Sequence, residues 1–156
     1  MGVLHTELLE TISRGVISMA VDPLVVKARL DIILERVTRI KHIETMTQEQ
    51  YLKDELLQGA IERNLQIIAQ AIIDICTHLV AHNHWGSPKS YSDAVKIIAN
   101  HKIIDSLLAD RLIDFVKLRN ILIHLYIAVD PTIVYQSAIA IIIDAKLFAD
   151  AILKFI

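Results

Sequence analysis

"SAIAIIIDAKLFADAILKFI", residues 137–156, reads either as a membrane span or as the inner helix of a bundle. Asp144, Lys146 and Asp150 interrupt it well before the ~18 consecutive apolar residues that a span needs. It is therefore read as a core helix, and a core helix requires other helices to cover it. Composition agrees. Hydrophobic residues make up 54% of the 156, whereas Gly is 4, Pro is 3 and aromatics are 5%, a balance that favours helices and leaves sheets short of turn and strand residues. The expected class is all-α, with one core for a chain of this length.

The opening "MGVLHTELLETISRG" has acidic residues where a secretory signal would carry cations and then an apolar block. A cytoplasmic protein with no membrane partner is expected, and a single cysteine, Cys76, cannot form an internal disulfide. A net charge of −2 gives no general attraction to polyanions, so any such contact must come from a local patch.

Working back along the chain, Asp130-Pro131 and Asp22-Pro23 each set a capping carboxylate before a ring suited to the first helical turn. After the second pair, Leu30, Ile33, Leu34, Val37 and Ile40 form an amphipathic stripe. Thr47 and Gln50 have capping-box spacing and open residues 49–82, read as one bent helix in preference to two joined near Gly59. "NHWGSPKS", residues 83–90, is a loop. Ser90 and Asp93 resemble a second capping box for a short helix over 91–100, and a further helix is expected over about 105–128. The sum is an up-and-down bundle of four to five helices over 22–156, with residues 1–21 as an extension that is either helical or an arm onto a partner.

One helix carries unusual chemistry, in "VKLRNILIHLY", residues 116–126. A wheel of 112–126 puts Phe115, Leu118, Leu122 and Leu125 in one stripe and spreads Arg119, Asn120, His124 and Tyr126 over roughly 160° opposite, with Lys117 at the border. Leu112, Val116 and Ile123 share the polar arc, so a second subunit is expected to cover that side. On the plainer reading Arg119 snorkels, His124 is a half-buried helix histidine and Tyr126 is an interface aromatic. On the chemical reading, an imidazole that moves protons near neutral pH and a guanidinium that grips phosphate are the two groups RNA cleavage at its own 2′-hydroxyl requires. Five residues apart, they diverge by about 140° on one helix, so two copies across a twofold axis would aim them better.

"RNILIHLY" resembles the R-x4-H-x-Y signature of the HepT-like toxins of the HEPN superfamily, and the flanking order over roughly residues 22–150 is similar to that family's as well. The resemblance implies a homodimeric endoribonuclease toxin that needs no metal or cofactor, paired with a minimal nucleotidyltransferase antitoxin that silences it by attaching AMP to the motif tyrosine. Carried onto this chain, it makes Arg119 and His124 the catalytic pair, Asn120 the supporting neighbour and Tyr126 the acceptor; apart from the resemblance, Lys117 beside them is read as a supporting cation where RNA would bind. Leu125 and Lys117 depart from the family pattern, Leu125 standing where a polar residue is common and Lys117 where a small one is. The alternative keeps the fold without the chemistry, as a non-catalytic module that binds a nucleotidyltransferase or a nucleotide.

Other groups read more plainly. His78 and His82 have an i, i+4 spacing that could hold zinc with His84, yet no further ligand completes the set, and no metal is expected. Trp85 and Tyr91 could stack bases, but anchoring of the loop is preferred. Asp105, Asp110 and Asp114 are read as cap and surface charges, Cys76 as core packing, and Lys27, Arg29, Arg36, Arg39 and Lys41 as a solvated basic face.

Overall fold

The computed structural model describes residues 22–124 and 128–156; the extension 1–21, together with Leu125, Tyr126 and Ile127, lies outside the described residues. Among those described, the chain is all helical: α1 Pro23–Ile40, a 3-10 turn Lys41–Thr45, α2 Gln48–Leu52, α3 Glu55–His82, α4 Tyr91–Asn100, α5 Ser106–Ile123 and α6 Pro131–Phe155. Both Asp-Pro openings work as expected, with Asp22 Oδ1 accepting from Leu24 N at 3.0 Å and Asp130 Oδ1 from Thr132 N at 2.9 Å. At α4, Ser90 Oγ accepts from Asp93 N, but the reciprocal arm of Asp93 takes Lys89 N, one residue earlier than a capping box would.

The expected single helix over 49–82 is two. Asp54 Oδ1 accepts from Leu57 N at 3.0 Å and starts α3 afresh, while the Thr47–Gln50 capping box closes only the short α2. Gly59 lies inside α3 and breaks nothing. A carboxylate able to cap outweighs a glycine, which lowers helix stability by only about 1 kcal/mol.

α1, α3, α5 and α6 pack as a closed ring of four, and α4 lies against α3 and α5. Side-chain contacts fix the directions: Arg29–Asp74 and Arg36–Asn64 make α1 antiparallel to α3, Arg119–Gln70 together with Gln66 Nε2 on Leu122 O does so for α5 on α3, and Arg111–Asp144 joins α6 to α5. This is the up-and-down bundle. α3 is long and apolar enough to cross a membrane by length and composition alone, but Ile68, Ile72, Ile75 and Leu79 are buried in the core that it centres. On α6, Asp144 is the one buried charged residue among those described, held by Arg111 Nε at 3.0 and 3.1 Å.

Leu112 and Val116, expected to be covered by a second subunit, are fully buried within this chain. α5 is packed by α3, α4 and α6 together, so both of its apolar sides are satisfied internally. Exposed apolar residues on α5 are confined to Leu107 near its start and to Ile121 and Ile123 at its end.

Tyr51 is fully buried with its ring 5.4 Å from that of Tyr135, yet its hydroxyl has no hydrogen-bond partner. Burial pushes its pKa up, with Glu62 adding to the effect. An orphaned buried hydroxyl costs stability where the isosteric hydrocarbon would not. Tyr51→Phe is expected to leave the melting temperature unchanged or raise it by the equivalent of about 1 kcal/mol; a clear loss in calorimetry would mean the hydroxyl is satisfied.

Candidate functional site

The last turns of α5 present the site. Arg119, half-buried, donates from one guanidinium nitrogen to Gln70 Oε1 on α3 at 2.6 Å and from the other to Asn120 Oδ1 at 3.0 Å. Gln70 is itself fixed, its Nε2 donating to Asp74 Oδ1 at 2.8 Å, and Asp74 pairs with Arg29 Nε of α1 at 3.3 Å. A relay across three helices thus orients the Gln70 amide, because the arginine needs its oxygen and the aspartate needs its nitrogen. The guanidinium carbon stands 5.3 Å from the centre of the Tyr91 ring, within cation–π range. The Nε of Arg119 is buried without a partner.

One cleft is lined by this arginine and a second by its neighbours Tyr91 and Asn120. The first, of about 280 Å³, runs between α1, α3 and α5 and is lined by Arg29, Arg63 and Arg119 against the single acid Asp74. The other, of about 500 Å³, is bounded by Thr77, Pro88, Lys89, Ser90, Tyr91 and Asn120. Three guanidiniums facing one carboxylate make a local cationic surface on a chain whose net charge is −2.

Helix α5 stops at Ile123, five residues short of the expected end. His124 is its C-terminal cap, with ψ at 81°, exposed, and its N–H bonded to Ile121 O at 3.1 Å. The wheel therefore does not apply to His124, and the divergence of about 140° that it implied has no basis. His124 follows Arg119 by five residues, just past the last residue of the helix, and is outside the linings of both clefts. Lys117 is exposed and lines neither cleft, while Asn120 lines the larger one and holds Arg119. Tyr126 lies outside the described residues.

Sequence reasoning missed Gln70, Asp74, Arg29 and Arg63 as neighbours of the site. Arg29 had been assigned to a solvated face; its spacing on α1 carries no sign that α3 would meet it. Trp85 does anchor the loop, stacked on His101 at 3.9 Å with Phe155 at 6.0 Å. Cys76 is buried, and burial pushes its thiol pKa up. Asp105 caps α5 through Leu108 N at 2.7 Å, with Asp110 and Asp114 exposed.

His78 and His82 do face each other, with ring centres 4.0 Å apart, but no group of three metal-binding side chains occurs among the described residues. His84 instead takes φ 54° in the turn that ends α3. His78 Nε2 faces the Asp22 N–H at 3.4 Å, a contact that requires the unprotonated nitrogen. Burial, then His82, lowers the pKa of His78 while Asp22 opposes them. The unfolded chain therefore takes up this proton first, so stability is full above about pH 6.5 and falls as the pH drops below it. Melting temperatures measured between about pH 7.5 and 5 should decline on the acid side, and less steeply in His78→Gln. Equal slopes would remove His78 as the cause.

The sequence model of the Ribonuclease HepT-like family matches residues 33–152. The chain is 31% identical over 128 residues to the mRNA nuclease HepT of Shewanella oneidensis, covering 78% of this chain and 96% of that one. It is 29% identical over 117 residues to the tRNA nuclease HepT of Aphanizomenon flos-aquae, covering 75% and 80%. In structure it is similar to the tri-AMPylated HEPN toxin of Shewanella oneidensis, solved in complex with its MNT antitoxin, with a TM-score of 0.76, 28% identity and coverage of 83% of this chain and 97% of that one.

Proposed function

Because this chain belongs to the Ribonuclease HepT-like family, we propose that it is the RNA-cleaving toxin of a toxin–antitoxin pair, working without metal from a groove between two copies of itself. Arg119 carries the reading. It is held by Gln70 and Asn120 where a cleft lined by three arginines meets the end of α5, and each of its terminal nitrogens keeps a second N–H for a phosphate oxygen.

In the proposed reaction the 2′-oxygen of the substrate attacks the adjacent phosphorus and the bond to the 5′-oxygen breaks. His124 takes the 2′-hydroxyl proton, the imidazolium of the second copy protonates the departing 5′-oxygen, and Arg119 neutralises the charge that builds on phosphorus. The products are a 2′,3′-cyclic phosphate and a free 5′-hydroxyl. Exposed Ile121 and Ile123, each beside the site, supply apolar surface for the second copy. Lys117 adds a cation on the same helix. The antitoxin is a minimal nucleotidyltransferase, and AMP placed on Tyr126 would put negative charge and bulk where the RNA strand enters.

Inducible expression in a bacterial host tests this. Wild type should arrest growth, and co-expression of a cognate minimal nucleotidyltransferase should restore it while adding AMP to Tyr126, read by mass spectrometry. Tyr126→Phe should stay toxic and escape the partner. Growth unaffected by wild type at high soluble expression would favour a non-catalytic module.

A further inference from the structure

Resting on the reading of the site as an RNA-cleaving one, we propose that the cleft bounded by Thr77, Pro88, Lys89, Ser90, Tyr91 and Asn120 seats a nucleobase next to the cleaved bond. The base would stack on Tyr91 while its phosphate lies on Arg119. Its volume of about 500 Å³ falls within the roughly 300–1,000 Å³ typical of small-ligand clefts.

Tyr91 is 43% exposed, which leaves ring surface open to a stacking partner, and the Arg119 guanidinium carbon sits 5.3 Å from its ring centre. A phosphate held by that guanidinium brings its own nucleoside within reach of the ring. Trp85 is ruled out for this task because it is already stacked on His101. Lys89 supplies a second cation at the cleft.

The polar groups also have assigned directions. Thr77 Oγ1 donates its only hydrogen to Ile73 O at 2.9 Å and Asp74 O at 3.1 Å, so toward the cleft it can only accept. Asn120 Oδ1 is occupied by Arg119, which leaves its Nδ2 to donate. An accepting hydroxyl and a donating amide match the neighbouring donor and acceptor that the edge of every base carries, so they hold a base without choosing among the four.

The test uses the full-length protein and short RNAs that vary only in the bases flanking the cleaved bond. Binding is measured on versions methylated at every 2′-oxygen, which lack the nucleophile, and cleavage on the unmodified ones. Tyr91→Leu should weaken binding and raise KM by roughly 5- to 100-fold, the worth of one base–aromatic stack, while Tyr91→Phe stays within about twofold of wild type. Thr77→Val should weaken binding of the methylated RNAs, since the base loses one hydrogen-bond acceptor. A Tyr91→Leu protein that binds normally, or loses kcat alone, overturns the subsite, since the ring would then only prop Arg119. Unaltered binding by Thr77→Val overturns the hydrogen bond assigned to its hydroxyl. Tyr91-dependent binding by a protein that cuts no RNA would support the subsite and sink the catalytic reading instead.

Discussion

Replacing His124 by alanine is expected to lower RNA cleavage by about 10²- to 10⁴-fold, the usual worth of a positioned general acid or base. Its side chain is exposed at the end of α5, so the fold should be unaffected and the melting temperature unchanged. Arg119→Ala should cost about 10²- to 10³-fold, as loss of a charge-stabilising donor does. Arg119→Lys should recover little, because an ammonium cannot reach Gln70, Asn120 and a phosphate in one plane as the guanidinium fork does. Single-turnover cleavage of a labelled RNA by soluble, folded variants is the measurement. If both alanine variants stay within about tenfold of wild type, the proposed roles of Arg119 and His124 are wrong.

The second large effect concerns the core. Phe148 on α6 is fully buried, and Phe148→Ala should destabilise by about 3–5 kcal/mol, the transfer cost plus that of the cavity left behind. Against a total stability of about 5–15 kcal/mol, that is a large share, and the melting temperature should fall by about 6–20 °C. Denaturant unfolding with an unchanged slope would confirm that the loss is one of packing. A variant that melts within about 2 °C of wild type would show that the bundle refills the space.

Helix positions were legible wherever a capping side chain and the apolar period agreed, as at Asp22-Pro23, Ser90 and Asp130-Pro131. The break at Asp54 was missed because its cap competes with an uninterrupted helical period, and only the geometry shows which wins. The early end of α5 was missed for the reverse reason: "ILIHLY" has no turn residue, yet the chain leaves the helix at His124.

By itself the sequence determined the all-α class and the up-and-down bundle of long helices, and it singled out Arg119 and His124 as the proposed chemical groups. Residue order alone carries those, since caps and period are local properties and the R-x4-H-x-Y spacing is written in the order itself. Tertiary structure decided what the two sides of α5 touch. It buried Leu112 and Val116 inside one chain, and it joined Arg119 to Gln70, Asp74 and Arg29 from helices far away in sequence. Such contacts depend on how helices rotate about their axes when their apolar stripes meet, and that rotation is set by the packing of all of them together.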